Sequence, residues 1–130
     1  MILLICHACK AVMPSGCGVP GVGDGELRAF MVEYLEGMNG VSKVGLVLGA
    51  LLFVLCPVIT IGVPLPSFLL PRPWLNRYAN RVVSHPVYLI RQGVTVLKMV
   101  SGLCWGKDPE VRRALNLDPY PDDPRSWRAS

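Results

Sequence analysis

Charge is what this chain has little of. Only 17% of its 130 residues are charged, against about 25% in an ordinary soluble domain, so few side chains remain to solvate a surface. Residues 44–70 carry none at all. Lys and Arg form no run beyond the Arg112–Arg113 pair and lie scattered among Pro, Leu and Val, which argues against a nucleic-acid partner. Histidine occurs only as His7 and His85. No nucleophile–base pair, paired carboxylates or phosphate loop is legible, which speaks against an independent enzyme. A signal-peptide pattern is missing too: Met1 is followed by ILLIC without a basic region, and His7 and Lys10 interrupt the run.

The main positive feature is the apolar run VGLVLGALLFVLCPVITIGV at residues 44–63. Twenty helical residues reach about 30 Å, the thickness of a bilayer core. The run therefore predicts a membrane-inserted helix over residues 43–62, capped by Ser42 and kinked at Pro57. A helix that instead stops at Cys56 reaches only about 20 Å, and its apolar sides would be covered by a larger partner. Before residue 44 there are three basic residues (Lys10, Arg28, Lys43) and four acidic ones (Asp24, Glu26, Glu33, Glu36). Beyond Leu70 basic residues outnumber acidic ones ten to five. If the run spans, this asymmetry puts the C-terminal part in the cytoplasm. If it does not, the basic excess suits the surface of an anionic membrane.

The pattern as a whole predicts an all-α protein of three to four helices in one membrane-associated domain. Residues 1–24 read as a flexible lead, Gly- and Pro-rich from Met13, itself an alternative start. A short amphipathic helix follows at 25–37, capped by Asp24, with Leu27, Phe30, Met31, Tyr34 and Leu35 on one face. After the apolar helix, Pro64, Pro66, Pro71 and Pro73 predict an extended connector, with Trp74 and Tyr78 beside Arg72 and Arg77 as interfacial anchors. Ser84 and Pro86 open a helix at 85–105, and Asp108-Pro109 opens another at 109–116. Residues 118–130 form a Pro-rich polar tail.

Several motifs invite a chemical reading. Gly16-Cys17-Gly18-Val19-Pro20-Gly21 spells GxGxxG, but no strand precedes it and Pro20 interrupts it, so it is no dinucleotide site. Cys6 and Cys9, with Cys17 nearby, are weak metal candidates. Two thiolates at this spacing can chelate zinc, but a closed site needs four ligands. His85 beside Pro86 suits a capping or surface role. Gly45 and Gly49 form a GxxxG suited to close helix packing in lipid.

The order of elements from Met13, and above all SHPVYLIRQGVTVLKMVSGLCWGKDPEVRRALNL followed by DPYP, resembles small helical segments associated with FAD-dependent oxidoreductases of the glucose-methanol-choline class, as in gluconate 2-dehydrogenase subunit 3. The likeness covers residues 84–120. It implies a non-catalytic accessory subunit that docks a flavin-dependent dehydrogenase or oxidase at a membrane, with FAD on the partner and no cofactor on this chain. The docking residues would be Arg91, Lys98, Asp108, Arg112 and Arg113. Two other readings stay open: a structural membrane protein that self-associates through Gly45 and Gly49, and a Cys-rich metal-binding redox protein.

Overall fold

A computed structural model describes residues 1–15, 18–119 and 121. Among them the structure is all-helical, and the expected three to four helices become seven: α1 Ile2–Val12, α2 Asp24–Gly37, α3 Gly40–Leu55, α4 Pro57–Ile61, α5 Arg72–Val82, α6 Tyr88–Lys107 and α7 Pro109–Ala114, with a 3-10 turn at Ser67–Leu69. Cys17, and all of the tail but Asp118, Pro119 and Pro121, lie outside the described residues.

Helices α3 and α6 pack face to face, and α1 lies against both. Their closest approach is set by two glycines. A Cβ on Gly49 would sit 3.0 Å from the Gly93 carbonyl oxygen and 3.3 Å from its Cα, so the backbones meet where neither residue has a side chain. Helix α1 corrects the expected flexible lead. Ile5, Ala8, Cys9 and Val12 fall at i, i+3, i+4 and i+7 and are all buried, which is the core stripe of an amphipathic helix. On α6, the Ser101 hydroxyl donates to Leu97 O at 2.7 Å and lies 3.3 Å from Cys9 O. Trp105 Nε1 donates to Pro20 O at 2.9 Å, tying the segment before α2 onto α6. Helix α2 turns Leu27 and Met31 inward with no exposed surface, as its periodicity requires.

Pro57 divides the helix predicted at 43–62. The helix divides at Cys56, whose N–H still reaches Leu52 O while Cys56 O starts α4. With no N–H of its own, Pro57 leaves Phe53 O without its helical partner. The Tyr78 hydroxyl takes that place, donating to Phe53 O at 2.7 Å, and the two rings pack with centroids 4.9 Å apart. Tyr78 is fully buried, so it is a core residue and not an interfacial anchor. Burial raises its hydroxyl well above the ordinary tyrosine range.

Three further boundaries differ from expectation. Asn39, not Ser42, caps α3, its Oδ1 accepting from Ser42 N at 2.8 Å; an Asn side chain binds the third helical N–H better than Ser42 can from inside the helix. Ser84 donates to Arg81 O at the end of α5, and α6 begins only at Tyr88, after Pro86. Helix α5 occupies part of the expected connector. Pro71 and Pro73 stand at its start, where a missing N–H costs nothing, and Leu75, Tyr78, Ala79 and Val82 face inward. Helix α7 starts as expected, with Asp108 Oδ1 accepting from Glu110 N at 2.8 Å, but ends at Ala114 and not at residue 116.

Candidate functional site

Helix α3 has two apolar sides. Leu46, Gly49, Ala50, Phe53 and Val54 are buried, while Val41, Val44, Leu48, Leu51 and Leu55 recur at steps of three and four on the outer side and are exposed. Val58 and Ile59 continue the outer surface on α4. Gly62, at φ +72°, then ends α4, and the following segment adds exposed Leu65, Phe68 and Leu69. Between Val44 and Leu69 this surface has no charge, and Lys43 and Arg72 bracket it in sequence. It holds a shallow cleft of about 320 Å³ lined by Leu55, Val58, Pro64, Leu65 and Pro66. Exposed apolar side chains gathered in this way make the segment a candidate interaction site. Among the described residues no helix is long and apolar enough to cross a membrane. The sixteen residues of α3 reach about 24 Å, and one side of them is spent on the core.

A second feature adjoins this surface. A cleft of about 430 Å³ opens between α1, the residues after it and the start of α5, lined among others by His7, Lys10, Arg72 and Asn76. The described residues of its lining carry basic side chains and no acidic one. His7 Nε2 lies 3.1 Å from the Ser67 hydroxyl, and the Phe68 ring meets the imidazole edge-on at 6.5 Å. The 3-10 turn therefore carries Phe68 and Leu69 of the apolar surface and also fixes a wall of the basic cleft. Burial lowers the His7 pKa, more than its hydrogen-bonding raises it. Nothing in the sequence pattern joined His7 to Arg72, because they meet only through the fold.

The expected docking residues separate into two groups. Asp108 is buried in its cap, and Arg112 donates through Nη1 to Gly106 O at 3.1 Å and through Nε to Asp118 O, tying α7 to the end of α6. Both hold the fold together. Arg91, Lys98 and Arg113 are exposed; Arg91 lies over the Tyr88 ring at 5.8 Å and donates to His85 O at 3.4 Å. His85 itself is buried, its Nδ1 accepting from Val87 N at 3.1 Å just before α6. Glu26 approaches Asp108, and sharing a hydrogen bond with it raises the Glu26 pKa, a juxtaposition that residue spacing did not disclose.

Of the cysteine candidates, Cys9 points into the core toward Leu97 O at 4.0 Å, and burial pushes its pKa up to about 11. Cys6, part-buried, is also raised by burial. A thiolate is the metal ligand and the nucleophile, and burial works against one here. Among the described residues no three His, Cys, Asp or Glu side chains group as metal ligands. Gly49 is used inside the chain, against Gly93, and Gly45 faces open space, so the GxxxG does not act as one packing unit. Compared with protein-family models, with curated proteins and with solved structures, the chain matches none.

Proposed function

We propose that this chain is a non-catalytic accessory subunit that lies on a membrane by its α3–α4 surface and holds a flavin-dependent dehydrogenase or oxidase there. The exposed surface of α3 and α4, uncharged from Val44 to Leu69, carries the membrane part of this reading. Full burial of a large aliphatic side chain is worth roughly 1.5–3 kcal/mol. The five exposed residues on α3, from 39% open at Leu51 to 85% at Val41, therefore supply on the order of 4–9 kcal/mol in a lipid interface. A basic residue near an anionic surface adds about 1 kcal/mol, and the chain's net charge of +4 has the matching sign. The apolar term leads, so attachment should survive salt. The flavoprotein part rests on the resemblance of residues 84–120, with exposed Arg91, Lys98 and Arg113 left to meet the partner.

Vesicle flotation tests the membrane part. The chain should float with phosphatidylcholine vesicles and stay with them at about 1 M salt, where charges are screened within about 3 Å. The variant Leu48→Glu/Leu55→Glu changes exposed positions only and should remain in the soluble fraction. Release by salt, equal flotation of the variant, or a lipid-free homodimer that ignores vesicles would each overturn this reading. For the partner, tagged chain recovered from native membranes should bring a protein with flavin absorbance; a clean preparation without flavin removes the dehydrogenase.

A further inference from the structure

We infer that the outer face of α5, bearing Trp74, Arg77 and Arg81, lies at the headgroup level of an anionic bilayer while the α3–α4 surface rests in the acyl boundary. This deepens the membrane reading and rests on it. Charge is segregated along the chain. From residue 37 to residue 107 there is no Asp or Glu, and α5, with its three arginines, falls inside that interval. The acids on either side belong to α2 and to the start of α7, where Glu26 approaches Asp108. Helix α5 packs instead against α4, α1 and α6. Its periodicity turns the arginines outward. Leu75, Tyr78, Ala79 and Val82 take the inner side. Trp74, Arg77 and Arg81 follow at i, i+3 and i+7, one stripe outside that side, and all three are exposed. The Arg77 guanidinium lies 5.8 Å from the Trp74 ring. Both groups suit the headgroup level: the amphipathic indole prefers the membrane–water boundary, and guanidinium forks match phosphate oxygens.

Continuity with the apolar surface selects a bilayer over an acidic protein. Exposed Phe68 and Leu69 stand just before α5, and Trp74 follows Leu69 by five residues. Five residues reach at most about 18 Å, so the apolar surface and the basic stripe adjoin. Helix α4, whose Val58 and Ile59 are exposed on that surface, packs directly on α5. An apolar surface with a basic, aromatic edge fits a leaflet that contains acidic lipids. An acidic protein would meet the arginines but leave the aliphatic side chains beside them in water.

The test measures partition on vesicles of phosphatidylcholine alone and with phosphatidylserine added. It compares the full chain with Arg77→Gln, Arg77→Gln/Arg81→Gln and, as a control of charge alone, Arg28→Gln at an exposed position of α2. The full chain should prefer the anionic vesicles. Arg77→Gln should cut that preference about fivefold and the double variant about thirtyfold, the equivalent of about 1 kcal/mol for each arginine. Arg28→Gln should change it less than twofold, and unchanged binding to phosphatidylcholine marks each variant as folded. At about 1 M salt the preference should vanish while binding to phosphatidylcholine persists, since charges are then screened within about 3 Å. Lipids brominated near the top of their acyl chains should quench tryptophan emission in the full chain and much less in Trp74→Phe. Equal losses in Arg28→Gln and Arg77→Gln, or quenching that Trp74→Phe leaves unchanged, would show diffuse attraction and overturn the α5 face. Poly-glutamate binding that the double variant loses, without a preference among vesicles, would assign the stripe to an acidic protein and overturn the lipid. Attachment to phosphatidylcholine with no anionic preference overturns the stripe and leaves the apolar attachment standing. Attachment to anionic vesicles alone, lost in the double variant, upholds the stripe and overturns the apolar attachment. If neither vesicle is bound, both fall.

Discussion

Replacing Tyr78 with Phe removes one oxygen atom and tests how the chain tolerates Pro57. The ring contact with Phe53 is unchanged by the substitution, so only the 2.7 Å hydrogen bond to Phe53 O is lost. In an ordinary helix the N–H four residues on would take over, but that residue is Pro57. Phe53 O is then left buried without a donor, at a cost of about 1–3 kcal/mol. Taking about 2 kcal/mol, and roughly 3–5 °C per kcal/mol for a chain between the small and large domain classes, Tm should fall by about 6–10 °C. Thermal and urea unfolding followed at 222 nm measure it. The sharper form is a double-mutant cycle. Pro57→Ala restores an N–H that can reach Phe53 O, so Tyr78→Phe should cost about 1 kcal/mol less in that background. Equal costs in both backgrounds, or a loss below about 0.5 kcal/mol in the natural one, would refute the reasoning, since the hydroxyl would then not be replacing the missing donor.

The two glycines of the GxxxG should part company. Gly49→Ala forces a Cβ to 3.0 Å from the Gly93 carbonyl and should destabilise by about 1–3 kcal/mol, whereas Gly45→Ala meets nothing within 4 Å and should stabilise by about 0.5–1 kcal/mol; urea midpoints of the two variants decide this. Stability should also depend on His7. Its pKa is lower in the folded chain than its ordinary value of 6.5, so the unfolded chain binds the proton more readily, and its share of stability is full above pH 6.5 and declines as pH falls below it. Lys10, a like charge nearby, acts in the same direction. His7→Gln should flatten the profile of Tm against pH over that range, and an unchanged slope would remove His7 as its source.

Much of the helical architecture was legible because it follows local rules. Leu27 and Met31 announced the inner side of α2, and Asp108 with Pro109 announced α7. Ser42 and Ser84 misled because a capping residue is recognised by where the helix starts, and Asn39 and Pro86 moved both starts. Helix α1 was obscured by the Gly- and Pro-rich residues after it and by the chemistry that Cys6, His7 and Cys9 suggest, although Ile5, Ala8 and Val12 keep helical spacing. Helix α5 was hidden by four prolines, two of which only mark its beginning. Pro57 was recognised as the awkward residue of the apolar run. What stayed out of reach was Tyr78, twenty-one positions later, as the donor that lets the helix stop there. The basic cleft was equally illegible, since His7 and Arg72 become neighbours only through tertiary packing.

The place of α1 has a kinetic consequence. Cys9 and Ser101 meet across ninety-two residues of chain, so the α6 part of the surface that receives the first helix is made almost last. Contacts this distant in sequence slow folding, because a long loop closes before they form. During synthesis at about 5–20 residues per second, Ile5, Ala8, Cys9 and Val12 wait several seconds for α6 to emerge. Over that interval the nascent chain shows α1 and α3 without the α6 face that covers them both, and it is then that a chaperone or a membrane would have its best chance to capture it.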